Sequence, residues 1–256
     1  EIIVNDLTLF TPVHTTIESD GAIHLLYTKR LSTTSMNALY YVTGKSNSWS
    51  TPQKLSLDDY SFVDSYEIGL QTSSNGTLHI IWIEIGLGGI HKLYYQERSS
   101  NGDWQSPERL IPQFSNGEHH FYHINMLTDQ EDNFHIFWEN QDDSSVLYYL
   151  EKRAIDGWQT PLQLLSSEFQ YVLWPQYTIS QNNELILVYF PVADGESKVI
   201  YQIRDKLGNW QNPQELRQET EDAAQPYSLN QIDLDVDAGS TAHIVWTEIT
   251  DRSTME

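Results

Sequence analysis

One phrase is written four times in this chain: a tryptophan followed three residues later by a proline. It reads NSWSTP, GDWQSP, DGWQTP and GNWQNP, and the successive tryptophans, Trp49, Trp104, Trp158 and Trp210, are 55, 54 and 52 residues apart. A recurrence of this period indicates a repeat architecture, because each copy builds one unit that buries its apolar face against the next copy.

Two further features recur in fixed order between the tryptophans. An aromatic residue lies three positions after a histidine or an isoleucine, and a Leu-Tyr-Tyr sequence or a variant of it follows. The segments are short, rich in β-branched and aromatic residues, and bounded by Gly, Asn, Asp and Ser, which is typical of β-strands joined by tight turns. Each unit is therefore predicted to hold four antiparallel strands, A to D, which together form a blade of a β-propeller.

Counting the strands predicts an all-β propeller in a single domain, 1–256, whose last blade is incomplete. The sequence supplies five A–B pairs and only four C–D pairs, so the chain is five-bladed or a fragment of a larger propeller. The predicted blades cover about 11–55, 64–110, 121–164, 174–216 and 228–250. An open blade exposes a sheet face and edge, so we expect a second copy or a larger parent chain to complete it.

The repeated phrase itself has a mechanical explanation. A large aromatic residue at the same place in every blade would wedge neighbouring sheets together. A proline suits an outer edge strand, because its missing N–H would face solvent and would block pairing with other molecules.

Composition limits the classes of partner. The net charge of −22 repels nucleic acid and anionic membrane surfaces, and no apolar run is long enough to span a bilayer. The chain lacks cysteine, which removes disulfides, thiolate nucleophiles and Cys-based zinc sites. The first residue is Glu1, so we expect a mature or excised form, and we expect the protein to be secreted or exposed at the cell surface.

The order Gly-x-x-His-x-x-Trp, Leu-Tyr-Tyr, Gly-x-Trp-x-x-Pro resembles the degenerate repeats of bacterial sialidase-like propellers, the Asp-box or BNR-repeat group. The Asp-box turn of that family reads Ser-x-Asp-x-Gly-x-x-Trp, whereas the turns here read SSNGDW, AIDGW and KLGNW. The resemblance implies three arginines that bind a substrate carboxylate. The candidates Arg98, Arg153 and Arg204 recur once per blade and cannot converge, so we interpret them as structural or solvated and do not expect sialidase activity.

Histidines and aspartates offer candidate metal ligands. Four histidines share one B-strand position, at His24, His79, His135 and His243, and the fourth blade has Ile186 there, which favours packed imidazoles hydrogen-bonded to a neighbouring strand. The loop residues His119, His120 and His123 lack the helical spacing of a zinc protease site. On a strand, Asp233, Asp235 and Asp237 share one face, where they would suit Ca²⁺ or would line a water-filled channel. No other cofactor is expected.

Residues that do not repeat are the candidates for ligand binding. The D-to-A connections are rich in aromatic residues and would meet at one rim of the propeller. The predicted ligand-binding residues there are Tyr60, Phe62, His119, His120, Tyr122, Tyr171, Trp174 and Tyr227. Aromatic faces beside Asp, Asn, Gln and His suit stacking on sugar rings. We therefore expect a non-catalytic, extracellular glycan-binding module. The alternatives are a protein-interaction scaffold and a glycan-active hydrolase or lyase, which would need two carboxylates or a Tyr–His pair to meet.

Overall fold

A computed structural model describes residues 12–18, 20–31, 36–46, 48–57, 61–86, 88–110, 121–140, 146–164, 171–193, 196–217 and 228–249. Every regular element in these segments is a β-strand. A helix able to cross a membrane is not found among the described residues.

The strands form five antiparallel sheets in chain order. Sheet 1 contains β1 (Val13–Ile17), β2 (Ile23–Arg30), β3 (Asn37–Lys45), β4 (Ser48–Trp49) and β5 (Gln53–Lys54). Sheet 2 contains β6 (Phe62–Thr72), β7 (Leu78–Ile85), β8 (His91–Arg98) and β9 (Glu108–Arg109). Sheet 3 contains β10 (Phe121–Thr128), β11 (Phe134–Asn140), β12 (Val146–Arg153), β13 (Gly157–Trp158) and β14 (Leu162–Gln163). Sheet 4 contains β15 (Tyr171–Ile179), β16 (Leu185–Ala193), β17 (Glu196–Ser197), β18 (Val199–Arg204) and β19 (Gln214–Arg217), and sheet 5 contains β20 (Ser228–Val236) and β21 (Ala242–Ile249).

This order confirms the predicted fold class. Sheets 1 to 4 each have the A, B and C strands in sequence with a short D element on the outside, as blades of a β-propeller do. Sheet 5 has only the A and B strands within the described residues. The strands form because their buried runs are dense in Ile, Leu, Val, Trp and Tyr, and the B strand β7 is buried over nearly its whole length.

The D strands differ from the continuous strands that the sequence suggested. In sheet 3, β13 and β14 are separate pieces on either side of Pro161, and both pair with β12. In sheet 2, Trp104 makes an isolated bridge to Arg98 before β9 begins after Pro107. Proline lacks the N–H that would continue the ladder, so each outer strand is interrupted where the repeated phrase places it.

The described chain divides into two compact units. The first unit comprises Glu1–Asp142 and Leu150–Pro161, and its core joins Leu26 and Leu39 of sheet 1 to Ile80 and Trp82 of sheet 2. The second unit comprises Asp143–Tyr149 and Leu162–Glu256, and a hydrophobic cluster in it joins residues of sheet 4 to residues of sheet 5. The buried members of that cluster are Ile186, Val188, Phe190, Val199 and Ile232.

The D-strand tryptophans pack against the sheet that precedes them, as predicted. In the first unit, Trp104 meets the ring of Tyr41 edge-on, with centroids 5.0 Å apart and planes at 87°. Trp158 meets Tyr95 in the same way, at 4.9 Å and 86°. In the second unit, Trp210 meets Tyr149 at 5.3 Å and 85°. Each edge-to-face pair is worth about 0.5–1.5 kcal/mol beyond the area it buries.

A cationic side chain lies over the tyrosine ring in each of these three aromatic contacts. Arg98 lies over Tyr41, and in the second unit Arg204 lies over Tyr149, each at 5.7 Å from the ring centroid. In the remaining contact, between Trp158 and Tyr95, the residue over the tyrosine ring is Lys152, at 4.8 Å. Lys152 precedes its tryptophan by six residues, as Arg98 does, so it occupies the repeated position, and Arg153 pairs with Glu151 instead.

Of the four histidines that share this B-strand position, His24, His79 and His135 are buried, as expected, whereas the side chain of His243 is 60% exposed. In sheet 1, the Nδ1 of His24 lies 2.6 Å from the hydroxyl of Tyr41 on the neighbouring strand. In sheet 2, His79 makes the same contact with Tyr95 at 2.5 Å. Burial lowers the pKa of His79 to about 3, which keeps the imidazole neutral. These two side chains therefore join strands B and C through buried hydrogen bonds.

Candidate functional site

Irregularities cluster near the start of the A strands, next to the D-to-A connections that the sequence analysis singled out. A β-bulge interrupts the register between strands A and B in four sheets, at Val63/Ile68, Tyr122/Asn125, Leu173/Gln176 and Leu229/Gln231. A β-bulge redirects side chains and is often found next to active sites. In the first unit, two of these bulges meet and form a polar cluster.

The bulge of β10 is held by a buried glutamate from β6. His123 has a positive φ of 52°, and its backbone N–H donates to Oε1 of Glu67 at 2.9 Å. The next N–H, that of Ile124, donates to Oε2 of Glu67 at 2.7 Å. Burial raises the pKa of Glu67, although both hydrogen bonds oppose that shift. Glu67 thus clamps one sheet to the irregular strand of the next.

The clamp presents the imidazole of His123 to solvent. The side chain is 63% exposed, and its Nδ1 lies 3.1 Å from Oε1 of Glu139, which is itself almost completely buried. The adjacent carboxylate of Glu139 raises the pKa of His123, while partial desolvation opposes the rise. A carboxylate on one ring nitrogen fixes the orientation of the imidazole and stabilises its charged form. The other nitrogen can then carry a proton to a bound molecule.

A third buried glutamate near these strands has a structural role. Oε1 of Glu84 accepts hydrogen bonds from the backbone of Leu57 at 2.7 Å and from the indole of Trp82 at 3.1 Å. Oε2 accepts the hydroxyl of Ser61 at 2.9 Å. Because both oxygens are engaged, Glu84 ties the chain that leads into β6 to strand β7.

The sequence-predicted binding residues are placed as follows. Tyr60, His119, His120 and Tyr227 lie outside the described residues. Phe62 begins β6 and is 36% exposed, whereas Tyr122 is half-buried beside His123 with its ring 6.1 Å from that of His91. Tyr171 begins β15, and Trp174 lies within the bulge of that strand. Glycan binding by these residues stays a prediction.

The three aspartates of β20 and the following turn are exposed. Asp237 caps the turn, because its Oδ1 accepts the backbone N–H groups of Gly239 and Thr241, and its Oδ2 lies 3.2 Å from Nε2 of His243. Within the described segments, no group of three metal-ligating side chains is found. Calcium binding by Asp233, Asp235 and Asp237 stays a prediction.

Sequence reasoning missed Glu67 and Glu139. The signal that was present is an acidic residue within or at the end of an apolar run, in SYEIGL and HIFWEN. A buried carboxylate is costly unless it is paired, so such a residue indicates a partner elsewhere in the fold. The partner here is the bulge of β10, which the alternation of apolar residues does not reveal.

Comparisons with known proteins show the fold. No protein-family model and no curated protein sequence matches the chain. The solved structures similar to it include an α-L-arabinofuranosidase of Fusarium graminearum in complex with arabinobiose, at 14% identity and a TM-score of 0.56, covering 82% of this chain and 68% of that one. An α-L-arabinanase of Penicillium chrysogenum, also in complex with arabinobiose, matches at 13% identity and a TM-score of 0.56. The match covers 96% of this chain and 85% of the arabinanase. An ulvan lyase matches at 11% identity and a TM-score of 0.57. The match covers 82% of this chain and 57% of the lyase.

These neighbours correct the expected function. From the sequence alone we expected a non-catalytic recognition module. The arabinofuranosidase and the arabinanase are glycoside hydrolases, however, and the ulvan lyase is a polysaccharide lyase. That expectation was wrong, since it rested on the lack of a convergent catalytic set among the repeated residues. The polar cluster of the first unit is built from residues that do not repeat.

Proposed function

We propose that this chain is a glycan-active enzyme whose proton-transfer residue is His123. The observation that carries the proposal is the exposed imidazole of His123, oriented by buried Glu139 and held in place by the clamp of Glu67. The fold shared with arabinan-cleaving and ulvan-cleaving enzymes supports the same class of activity.

The proposed step is protonation of the leaving glycosidic oxygen. His123 in its charged form donates the proton from the ring nitrogen that does not face Glu139, and the bond between the sugar carbon and that oxygen breaks. The raised pKa of His123 favours the protonated imidazole, as a general acid requires. In a hydrolase, water then adds to the sugar carbon, the proton that this water loses returns to the neutral imidazole of His123, and a reducing end is released.

The substrate class that we propose for this enzyme is a neutral glycan. A net charge of −22 repels polyanionic substrates and leaves uncharged polysaccharides unaffected. The arabinobiose bound to two of the similar enzymes is a neutral sugar. We therefore propose hydrolysis of a neutral polysaccharide, with the aromatic residues of the D-to-A connections stacking on its rings.

A lyase is the second candidate, because the described cluster presents an imidazole and no free carboxylate pair. Both oxygens of Glu67 accept backbone hydrogen bonds, and Glu139 is buried against His123. A histidine can take a proton from an acidic sugar carbon and return one to the leaving oxygen on the same face. The similarity to an ulvan lyase supports this alternative.

A panel of neutral and anionic polysaccharides tests the proposal. The wild-type chain should release reducing ends from at least one polymer, and an unsaturated product that absorbs ultraviolet light would identify a lyase. His123→Gln should lower the rate at least about a hundredfold, as loss of a general acid does. The matched control is His243→Gln, which replaces another exposed histidine paired with a carboxylate. Equal rates for the two variants, or no cleavage by the wild type, would contradict the proposal.

We also propose a relation to sialidase-like repeats. The turns before the tryptophans support it, because Gly102, Gly157 and Gly208 all have positive φ angles there.

A site of action outside the cell suits an enzyme whose substrate is a polymer. We therefore propose that the protein is secreted or exposed at the cell surface.

A further inference from the structure

The outer edge of strand β21 is open among the described residues. In sheets 1 to 4, the B strand pairs with strand A on one side and with strand C on the other, whereas the described segments give β21 a single partner, β20. The exposure of the side chains agrees with this difference. Val245 of β21 is 67% exposed, and the equivalent Ile81 of β7 is completely buried. An unpaired edge of this kind is a template for another strand.

The register of the complete sheets shows what such a strand carries opposite the B-strand aromatic residue. Tyr27 is paired with Tyr40 and stacks on it with centroids 5.7 Å apart. Trp82 is paired with Tyr94 and stacks on it at 5.5 Å. Trp246 occupies the same position of β21, so the first tyrosine of a Leu-Tyr-Tyr strand would face it.

The B-strand histidines specify the next residue of the incoming strand. The imidazoles of His24 and His79 each contact the hydroxyl of the second tyrosine, Tyr41 or Tyr95, through Nδ1. Nε2 of His24 contacts Glu18, as Nε2 of His243 contacts Asp237. His243 is therefore already held by the A-to-B turn in the same way, but its side chain is 60% exposed, compared with 2% for His24.

We propose that the open edge of β21 binds a β-hairpin of the chain's own repeat type. Its first strand pairs antiparallel with β21 and carries two consecutive tyrosines, the first opposite Trp246 and the second opposite Val245. The hydroxyl of the second tyrosine reaches His243. Backbone hydrogen bonds provide the affinity and the tyrosine pair provides the specificity, as in strand addition to other sheet edges.

A second copy of the described chain does not supply this strand. Its C strands β3, β8, β12 and β18 are already paired within their own sheets. Two copies could instead pair through their β21 edges, and that arrangement brings no tyrosine pair to Trp246 and His243. A β21-to-β21 dimer is therefore the main competing outcome.

The probe is a peptide with the sequence of residues 90–110, which contains a complete C–D hairpin of sheet 2. Added to the full chain, it should slow hydrogen exchange at the β21 amides and raise the midpoint of thermal unfolding in a saturable way. A second form joins the hairpin to the carboxyl terminus through a flexible linker, which raises its effective concentration. A tethered hairpin that neither protects β21 nor raises the midpoint would overturn the proposal.

A double-mutant cycle tests the specific contact. Replacing the peptide tyrosine equivalent to Tyr95 with Phe should weaken binding to the wild-type chain about fivefold, the usual value of one hydrogen bond. The same peptide change should have no effect on binding to His243→Ala, because the partner is missing. Equal losses with both proteins would contradict the assigned register. A dimer that the tethered hairpin does not dissociate would favour β21-to-β21 pairing instead.

Discussion

Histidines in this protein have opposite properties because their surroundings differ. His79 is buried between two sheets of the first unit, and desolvation lowers its pKa to about 3. His123 lies on an irregular strand, and the adjacent carboxylate of Glu139 raises its pKa. The imidazole of His79 stays neutral and joins two strands by a hydrogen bond, while that of His123 is suited to donate a proton.

Glu139→Gln should move the pH dependence of cleavage. The proposed general acid is active when protonated, so the rate falls as pH rises through the pKa of His123. Without the carboxylate this pKa returns towards the ordinary value of about 6.5, and the alkaline limb of the rate profile should shift to lower pH. A limb that stays in place, measured with the same polysaccharide, would show that His123 does not set it.

The same pair also affects folding stability, with a defined sign. The folded-state pKa of His123 is raised above its unfolded value, so the stability that the pair contributes is fully present below the unfolded pKa. That contribution is lost as pH rises through the folded pKa, and Glu139→Gln should remove it.

His79→Ile should reduce the loss of stability in mild acid. The folded pKa of His79 is depressed, so the unfolded chain takes up a proton below about pH 6.5 and the folded chain does not until about pH 3. Between pH 6.5 and 5, this difference costs the wild type about 2 kcal/mol of unfolding free energy. Urea denaturation at pH 7.5 and 5 measures it. The fourth sheet already has Ile186 at this position, so the substitution suits the fold.

Among the strands, the bulges are the feature that creates the site. A regular β10 would alternate its side chains in register with β11, whereas the bulge between Tyr122 and Asn125 inserts His123 and points two consecutive N–H groups at Glu67. The clamp therefore links sheet 2 to sheet 3 by charge-assisted hydrogen bonds, which are stronger than neutral ones.

Glu67→Gln should destabilise the protein by about 1–3 kcal/mol, because an amide has one acceptor oxygen and leaves one bulge N–H unpaired. The free energy of unfolding in urea measures this change. Glu131→Gln, at an exposed carboxylate, is the matched control and should stay within about 0.5 kcal/mol of the wild type. Similar values for the two variants would show that the clamp contributes nothing.

For the molecule as a whole, the dominant property is its charge. With 36 acidic and 14 basic residues, the net charge of −22 produces a negative field that extends about 10 Å at moderate ionic strength. Neutral polymers do not respond to this field, whereas anionic polymers are repelled until salt screens it.

Raising the salt concentration to about 0.5 M should therefore leave cleavage of a neutral polysaccharide within about twofold of its low-salt rate. Cleavage of an anionic polysaccharide should increase several-fold under the same change. Initial rates across a salt series on both substrates check this prediction. A fall in the rate on the anionic substrate would indicate a local cationic site that outweighs the overall charge.

The repeated Trp-x-x-Pro phrase and the Leu-Tyr-Tyr strands were enough to predict the blades, because side-chain alternation and packing are local rules that every copy obeys. The same rules predicted the tryptophan wedges between neighbouring sheets and the buried histidines of strand B. They did not reveal that Lys152 takes in the third sheet the place that Arg98 has in the second.

The cluster of Glu67, His123 and Glu139 depends on contacts between residues 16 to 57 positions apart in the chain. A β-bulge adds one residue to a strand without changing its apolar pattern, so nothing local marks where the bulge falls or which carboxylate it meets. Local periodicity was therefore sufficient for the blades. The site and the open edge of β21 emerged only when neighbouring sheets were packed, because burial, pairing and pKa depend on partners that the chain brings together from a distance.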